Sequence, residues 1–322
     1  MQVMVGVDVG GTKVAGGRVT RDGRLSGESR IVPSGTTDVA AVVESIAEAV
    51  GAVKRDAASA GETVVGVGIG CAGTVDLRRG VVVTSPNLPL TDAPVAALVG
   101  DRMGLPVFLD NDANVAAWAE VQVGVARGCR HVVMLALGTG VGGGIVLDGR
   151  LYRGATGAAA EIGHTIIVAG GEPCPCGACG CLESYASGRA LERIARRLVD
   201  DLPAAEASSL RAASEQGTLT GKAVGDLALS GDPGALSAVD EVGRWLGIGL
   251  SNMVNIFNPD MIVVGGGLGG LGELLLAPAR VVLGATGLVP GKHTVRVTSA
   301  VLGNDAGMLG AGLLAWTEIA SA

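Results

Sequence analysis

The densest chemistry in the sequence lies in one short stretch, Glu161-Ile-Gly-His164 followed by Cys174-Pro-Cys176-Gly-Ala-Cys179-Gly-Cys181-Leu-Glu183. Thiolates and one imidazole at such spacing suit a tetrahedral zinc ion, and four protein ligands would close the site and make it structural. Spacing alone admits four cysteines with His164 free, or His164 with three of them; chance thiols or a disulfide are the plain alternative. Zinc would also pin the segments that carry Glu161 and Glu183, and two fixed carboxylates are good acceptors for a polyol. A second acidic group, Leu109-Asp110-Asn111-Asp112-Ala113-Asn114, falls where a strand pattern gives way to a helix pattern, an edge from which side chains reach a crevice. Taken alone it reads as a helix cap with an acidic first turn. Asp112 is nevertheless a candidate general base, a carboxylate placed to orient a hydroxyl and accept its proton.

Glycine turns recur at Gly10-Gly11-Thr12, Gly138-Thr139-Gly140 and Gly265-Gly266-Gly267. Without a Cβ in the way, backbone N–H groups converge on an anion, and a nearby Thr or Lys13 adds donors and charge, so phosphate is the natural guest. Three ordinary tight turns in a glycine-rich chain are the alternative. Residues 6–13 miss the P-loop pattern by ending Gly-Thr-Lys, and Gly265, Gly267 and Gly270 lack the acidic residue about 20 positions on that would hold a ribose. A nicotinamide enzyme is disfavoured.

Elements must hold these groups. Strand patterns at 3–9 and 14–19 suggest a hairpin returning through Ile31, followed by a helix over 38–57 capped from Thr36 or Thr37. A strand at 64–69, a helix at 93–103, a strand at 107–109 and a helix at about 113–122 continue an α/β alternation. The order starts again with strands at 132–137 and 144–147 and a hairpin at Asp148-Gly149. Helices follow at 187–199 and 233–257, the latter stopped by Asn258-Pro259-Asp260, then strands at 261–264 and 295–299 and a last helix at 306–320. The polar stretch 201–222 has no assignment. Gly307, Gly310, Ala311 and Gly312 thin one side of the last helix, which suits close packing or a hinge.

Composition bounds the answer. Among 322 residues, 48% are apolar and 17% charged, which excludes disorder and permits a two-domain core. The net charge of −7 offers no basic face for nucleic acid or an anionic membrane. No apolar run has the length and density of a membrane span, and the first residues read as a strand rather than a signal peptide, so a cytoplasmic protein is expected. A reducing compartment favours metal over disulfides for the cysteines.

Asp8-Val-Gly-Gly-Thr-Lys13, paired with Leu137-Gly-Thr-Gly-Val-Gly-Gly-Gly144, resembles the actin-like ATPase superfamily, which includes sugar kinases. With Asn111-Asp112-Ala-Asn114, Glu161-Ile-Gly-His164 and Cys174-x-Cys176-Gly-x-x-Gly-Cys181-x-Glu183, nearly the whole chain resembles the ROK family (repressor, open reading frame, kinase), and within it the bacterial ATP-dependent glucokinases. The resemblance implies an α/β, two-domain actin-like ATPase (ribonuclease H-like) fold with an interdomain cleft. It divides the chain into a small α/β domain, 1–114 plus 303–322, and a large one, 115–302, with the zinc loop and adenosine-binding region.

It further implies transfer of the ATP γ-phosphate to glucose, with Asp112 as catalytic base and sugar contacts from Asn111, Asp112, Glu161, His164 and Glu183. Phosphate and nucleotide contacts fall to Asp8, Gly10, Gly11, Thr12, Lys13, Gly138, Thr139, Gly140, Gly265, Gly266 and Gly267, with Asp8 facing Mg²⁺. Structural zinc falls on His164, Cys174, Cys176 and Cys181. A homodimer or tetramer is usual for such kinases. Mannose, fructose, N-acetylmannosamine, N-acetylglucosamine or a cyclitol are the other acceptors, and a sugar sensor or a transcriptional repressor the non-catalytic alternatives.

Overall fold

The computed structural model describes residues 1–203 and 206–320, so part of the unassigned 201–222 stretch and the last two residues of the 303–322 segment lie outside the described residues. It forms two compact units, one made of Met1–Gly128, Gly144–Ala160 and Val301–Ala322, the other of Cys129–Gly143 and Glu161–Ala300.

In the first unit, β1 (Gln2–Val9), β2 (Lys13–Val19), β3 (Arg30–Pro33) and β4 (Thr63–Cys71) are followed by three short strands, β5 (Thr74–Asp76), β6 (Val81–Thr84) and β7 (Thr91–Ala93), then β8 (Val107–Asn111). The main sheet runs β3-β2-β1-β4-β8, and the short strands make a separate antiparallel sheet that the sequence reading did not foresee. β1, β4 and β8 are parallel, with Asp8 opposite Gly70 and Cys71 opposite Asn111, so the ends that carry Asp8 and Asn111 share one edge of the sheet. The helix Val39–Ser59 buries Val42, Val43, Ile46, Val50 and Val53 against this sheet. Its cap is the Asp38 side chain, which accepts from Ala41 N–H, rather than Thr36 or Thr37.

The helix Ala306–Ile319 packs on β1 and β4 at backbone contact distance. A Cβ on Gly6 would collide with the Met308 carbonyl, one on Gly68 with that of Ala311, and one on Gly310 with that of Val115 in the helix Asp112–Gln122. Its small residues therefore serve close packing within this unit. Buried Glu120 ties the entry to that helix, accepting N–H groups of Val301 at 2.9 Å and Leu302 at 3.0 Å.

In the second unit, β9 (Val132–Leu137) turns through Gly138-Thr139-Gly140 into β10 (Val141–Leu147), which runs on into the first unit and the short β11 (Arg150–Leu151). β12 (Met261–Gly265) pairs in parallel with β9 and with β13 (Arg296–Ser299). The helix Pro233–Phe257 starts on an Asp232 cap with Pro at its first turn and ends at Asn258 in the left-handed conformation. Gly243 and Gly247 let it approach the helix Glu273–Thr286, which the sequence reading missed. Among the described residues, no helix is long and apolar enough to cross a membrane.

Candidate active site

The Asp110-Asn111-Asp112 segment divides its work residue by residue. Asn111 is the helix cap: its Oδ1 accepts Ala113 N–H at 2.8 Å and Asn114 N–H at 3.1 Å, while its Nδ2 donates to the Gly73 carbonyl at 3.0 Å. Asp110 is fully buried and paired with Arg153, whose Nε donates to Oδ2 at 2.7 Å; its Oδ1 takes Asn111 N–H and Asn114 Nδ2. Arg153, which the sequence reading missed, continues to Glu318 at 3.1 Å. Asp112 is thus relieved of capping by Asn111 and of ion pairing by Asp110. Only its Oδ1 is drawn toward the helix, accepting Ala113 N–H at 2.9 Å.

Burial lifts the Asp112 carboxyl above its ordinary range, partly offset by hydrogen bonds from Ala113, its own backbone and Asn111. Asp8 is raised from 3.8 to about 6, first by burial, then by the charge of Asp112, with Lys13 opposing. Gly307 leaves room for it, since a Cβ there would stand 2.7 Å from Asp8 Cγ. Beside Asp8 the first glycine turn is closed by Gly10 N–H on the Lys13 carbonyl and held by Ser34, whose Oγ donates to the Gly10 carbonyl at 2.6 Å. Thr12 and Lys13 are exposed. Two carboxylates short of positive charge fit a site for Mg²⁺ carried by a nucleotide.

In the second unit, Leu182 N–H donates to the Thr165 carbonyl and Ile167 N–H to that of Gly180, which brings His164 alongside Cys181. Gly177 and Gly180, at φ of +93° and +88°, turn the chain between cysteines where a side chain would be strained. The outcome is a cluster of His164, Cys174, Cys176 and Cys181 whose ligand atoms all lie within 4.8 Å of one another. Cys174 Sγ to His164 Nδ1 is 3.7 Å and Cys176 Sγ to Cys181 Sγ 3.6 Å. Tetrahedral zinc at ordinary bond lengths places sulfur and nitrogen ~3.6 Å apart and two sulfurs ~3.8 Å apart, so these residues fit the ion. Cys179 is exposed and stands outside this group. Tyr185 secures the loop from below by accepting Glu172 N–H at 2.7 Å, and Arg193 joins Glu172 to the Ser184 carbonyl.

The same unit holds an apolar cavity of about 570 Å³, lined by Gly138 and Thr139 of the second glycine turn and by Gly267 after β12. Its remaining wall, including Gly188, Arg189, Gly221, Asp226 and Leu271, comes largely from helices the sequence reading did not assign to a site. Glycines four apart, Gly221 and Gly225, were the available signal. Gly265 ends β12 inside the core, and Gly266 turns the chain at φ +76°. The volume and apolar lining suit a planar ring ligand.

Asp8, Asn111 and Asp112 therefore belong to the first unit, and Glu161, His164, Glu183 and the second and third glycine turns to the second.

A glucokinase from Streptomyces coelicolor is 41% identical over 320 residues, 98% of each chain. The structure of a ROK family glucokinase from Streptomyces griseus, in complex with glucose and AMPPNP, matches with a TM-score of 0.84 at 39% identity, covering 97% of this chain and 98% of that one. A ROK hexokinase from Thermus thermophilus matches with a TM-score of 0.79 at 37% identity, over 99% and 100% of the two chains. The fold is thus the actin-like ATPase fold of these sugar kinases, and with the ROK family model matched from residue 4 to 318 the chain belongs to the ROK family.

Proposed function

We propose that this chain phosphorylates glucose at its 6-hydroxyl with ATP as donor, Asp112 acting as the base. The observation that carries this reading is the state of Asp112: a carboxylate at the first turn of a helix, raised by burial, with capping and ion pairing taken over by Asn111 and Asp110. The 41% identity to a glucokinase over 98% of both chains supplies the substrate class.

In this reading the Asp112 carboxylate accepts the proton of the sugar hydroxyl as that oxygen bonds to the γ-phosphorus. The bond from phosphorus to the bridging oxygen breaks, and ADP leaves with the electron pair. Asn111, Asp112, Glu161, His164 and Glu183 contact the sugar. Gly10, Gly11, Thr12, Lys13, Gly138, Thr139 and Gly140 contact phosphates, and Gly265, Gly266 and Gly267 border the adenosine. Asp8 would face Mg²⁺, which would supply positive charge to offset the charge developing on the transferred group. Zinc on His164, Cys174, Cys176 and Cys181 is structural and supplies no step. A cytoplasmic homo-oligomer, dimer or tetramer, completes the reading.

The test is ADP release from Mg-ATP with glucose, mannose, fructose, N-acetylglucosamine and N-acetylmannosamine, alongside zinc content and sedimentation of the same sample. Turnover on glucose well above the others is expected. No turnover on any of them, from zinc-loaded protein that binds ATP, would overturn the assignment.

A further inference from the structure

Segments flanking the Cys/His cluster close on the second glycine turn. Gly163, next to His164, lies so near that a Cβ would collide with the Val141 carbonyl oxygen. Glu183, two residues after Cys181, accepts Val141 N–H through Oε2 at 2.9 Å and rests against Gly140, where a Cβ would collide with the same oxygen. Its Oε1 lies 3.8 Å from Cys174 Sγ. Gly188 donates its N–H to the Gly138 carbonyl at 2.8 Å, and a Cβ on it would sit 2.9 Å from that oxygen. The turn has no charged side chain of its own, so these neighbours set its shape. With Gly138 N–H on the Gly140 carbonyl and Val141 N–H on Glu183, the backbone donors at its tip are those of Thr139 and Gly140.

From this we infer that Glu183 is a positioning residue for the nucleotide phosphates, coupling the metal-held segment to the Gly138–Gly140 turn so that the cluster governs ATP affinity. The inference rests on the kinase reading and deepens it. A carboxylate reaches Val141 N–H from the Cys181 segment only while that segment stays folded, and the cluster is what would fold it. Loss of the metal therefore acts on the phosphate turn through one hydrogen bond as well as on the sugar side.

The experiment measures AMPPNP and adenosine affinity, without sugar, together with hydrogen exchange at Val141, in wild type, Glu183→Ala and Glu183→Gln, each zinc-loaded and chelator-stripped. Exchange across β12 reports whether the rest of the unit stays folded. Glu183→Ala is expected to keep its zinc, bind AMPPNP on the order of 10-fold more weakly with adenosine unchanged, and exchange faster at Val141. Glu183→Gln, which keeps an acceptor, is expected to recover most of that loss. Stripping zinc from wild type should reproduce the alanine phenotype, and stripping the alanine variant should add little at Val141.

Unchanged AMPPNP affinity and Val141 exchange in zinc-loaded Glu183→Ala would overturn the inference. So would an equal acceleration of Val141 exchange on stripping both proteins. A wild type that binds no AMPPNP would instead overturn the kinase reading, while exchange at Val141 would still judge the coupling.

Discussion

Asp8 and Asp112 in the first unit and Glu183 in the second are all carboxylates beside glycine turns, yet their surroundings differ in kind. Asp8 and Asp112 are both pushed toward the protonated form, chiefly by burial, with the charge of Asp112 adding to the effect at Asp8 and Lys13 opposing it. Glu183 has a backbone N–H and stands against a cluster that fits a cation. The first pair is held ready for a partner that arrives with positive charge, at a cost in stability; the second arrangement is internally satisfied and contributes to the fold. Substitutions of Asp8 and Asp112 should therefore move activity and stability in opposite directions, and substitutions that disturb the Glu183 arrangement should move them together.

The largest expected effect is on Asp112. Asp112→Asn should lower kcat by about 10²–10⁴-fold while glucose and ATP still bind, since only proton transfer is lost. Unchanged kcat would remove Asp112 from the reaction. Because the carboxyl is raised, the acid limb of kcat/KM should also lie above the ordinary aspartate range, checked by a pH–rate profile.

Asp8 follows. Between pH 3.8 and about 6 the folded chain keeps a proton there that the unfolded chain has released, so stability falls as pH rises through that window. The full penalty above it is about 3 kcal/mol. Asp8→Asn should recover most of that at neutral pH and flatten the dependence, as read from urea unfolding at both ends of the window, while ATP turnover drops. A destabilised variant would contradict the contrast drawn above.

Arg153→Ala leaves Asp110 buried without its cation and should destabilise by about 2–3 kcal/mol, at the low end for a buried pair because Arg153 retains some exposure. Gly163→Ala probes the second unit: relief of the clash with Val141 must shift the turn, so about 1–2 kcal/mol of stability and ATP affinity should fall together. If ATP affinity held while stability fell, the turn would be independent of the cluster.

These differences explain what the sequence could disclose. The cysteine cluster was legible because its ligands are local: Gly177 and Gly180 force the knuckle, and only His164 has to be brought in. Most strands and the helix 233–257 were legible from periodicity, the latter also from its Asn258-Pro259-Asp260 stop; its Asp232 cap was not read. The helix Glu273–Thr286 was hidden because Leu274, Leu275, Leu276, Val281 and Val282 blur its faces and Pro278 interrupts it. Arg153 was invisible for another reason, since it lies 43 residues from Asp110 and nothing local marks the pairing. Likewise, which of Asp110, Asn111 and Asp112 would be cap, ion partner or base depends on contacts from Gly73 and Arg153, neither adjacent in sequence.

The tight seating of the helix Ala306–Ile319 on β1 and β4 also has a consequence for biosynthesis. The strands it covers leave the ribosome early, whereas their covering helix emerges only after the second unit has been made. At ordinary elongation rates that interval is on the order of 10–40 s, during which the apolar face of β1 and β4 waits without its native cover. Glycine at positions 6 and 68 leaves that face able to accept a late-arriving backbone at close range. Docking of this helix is thus a late step of folding, one that the two glycines leave open until the last residues are made.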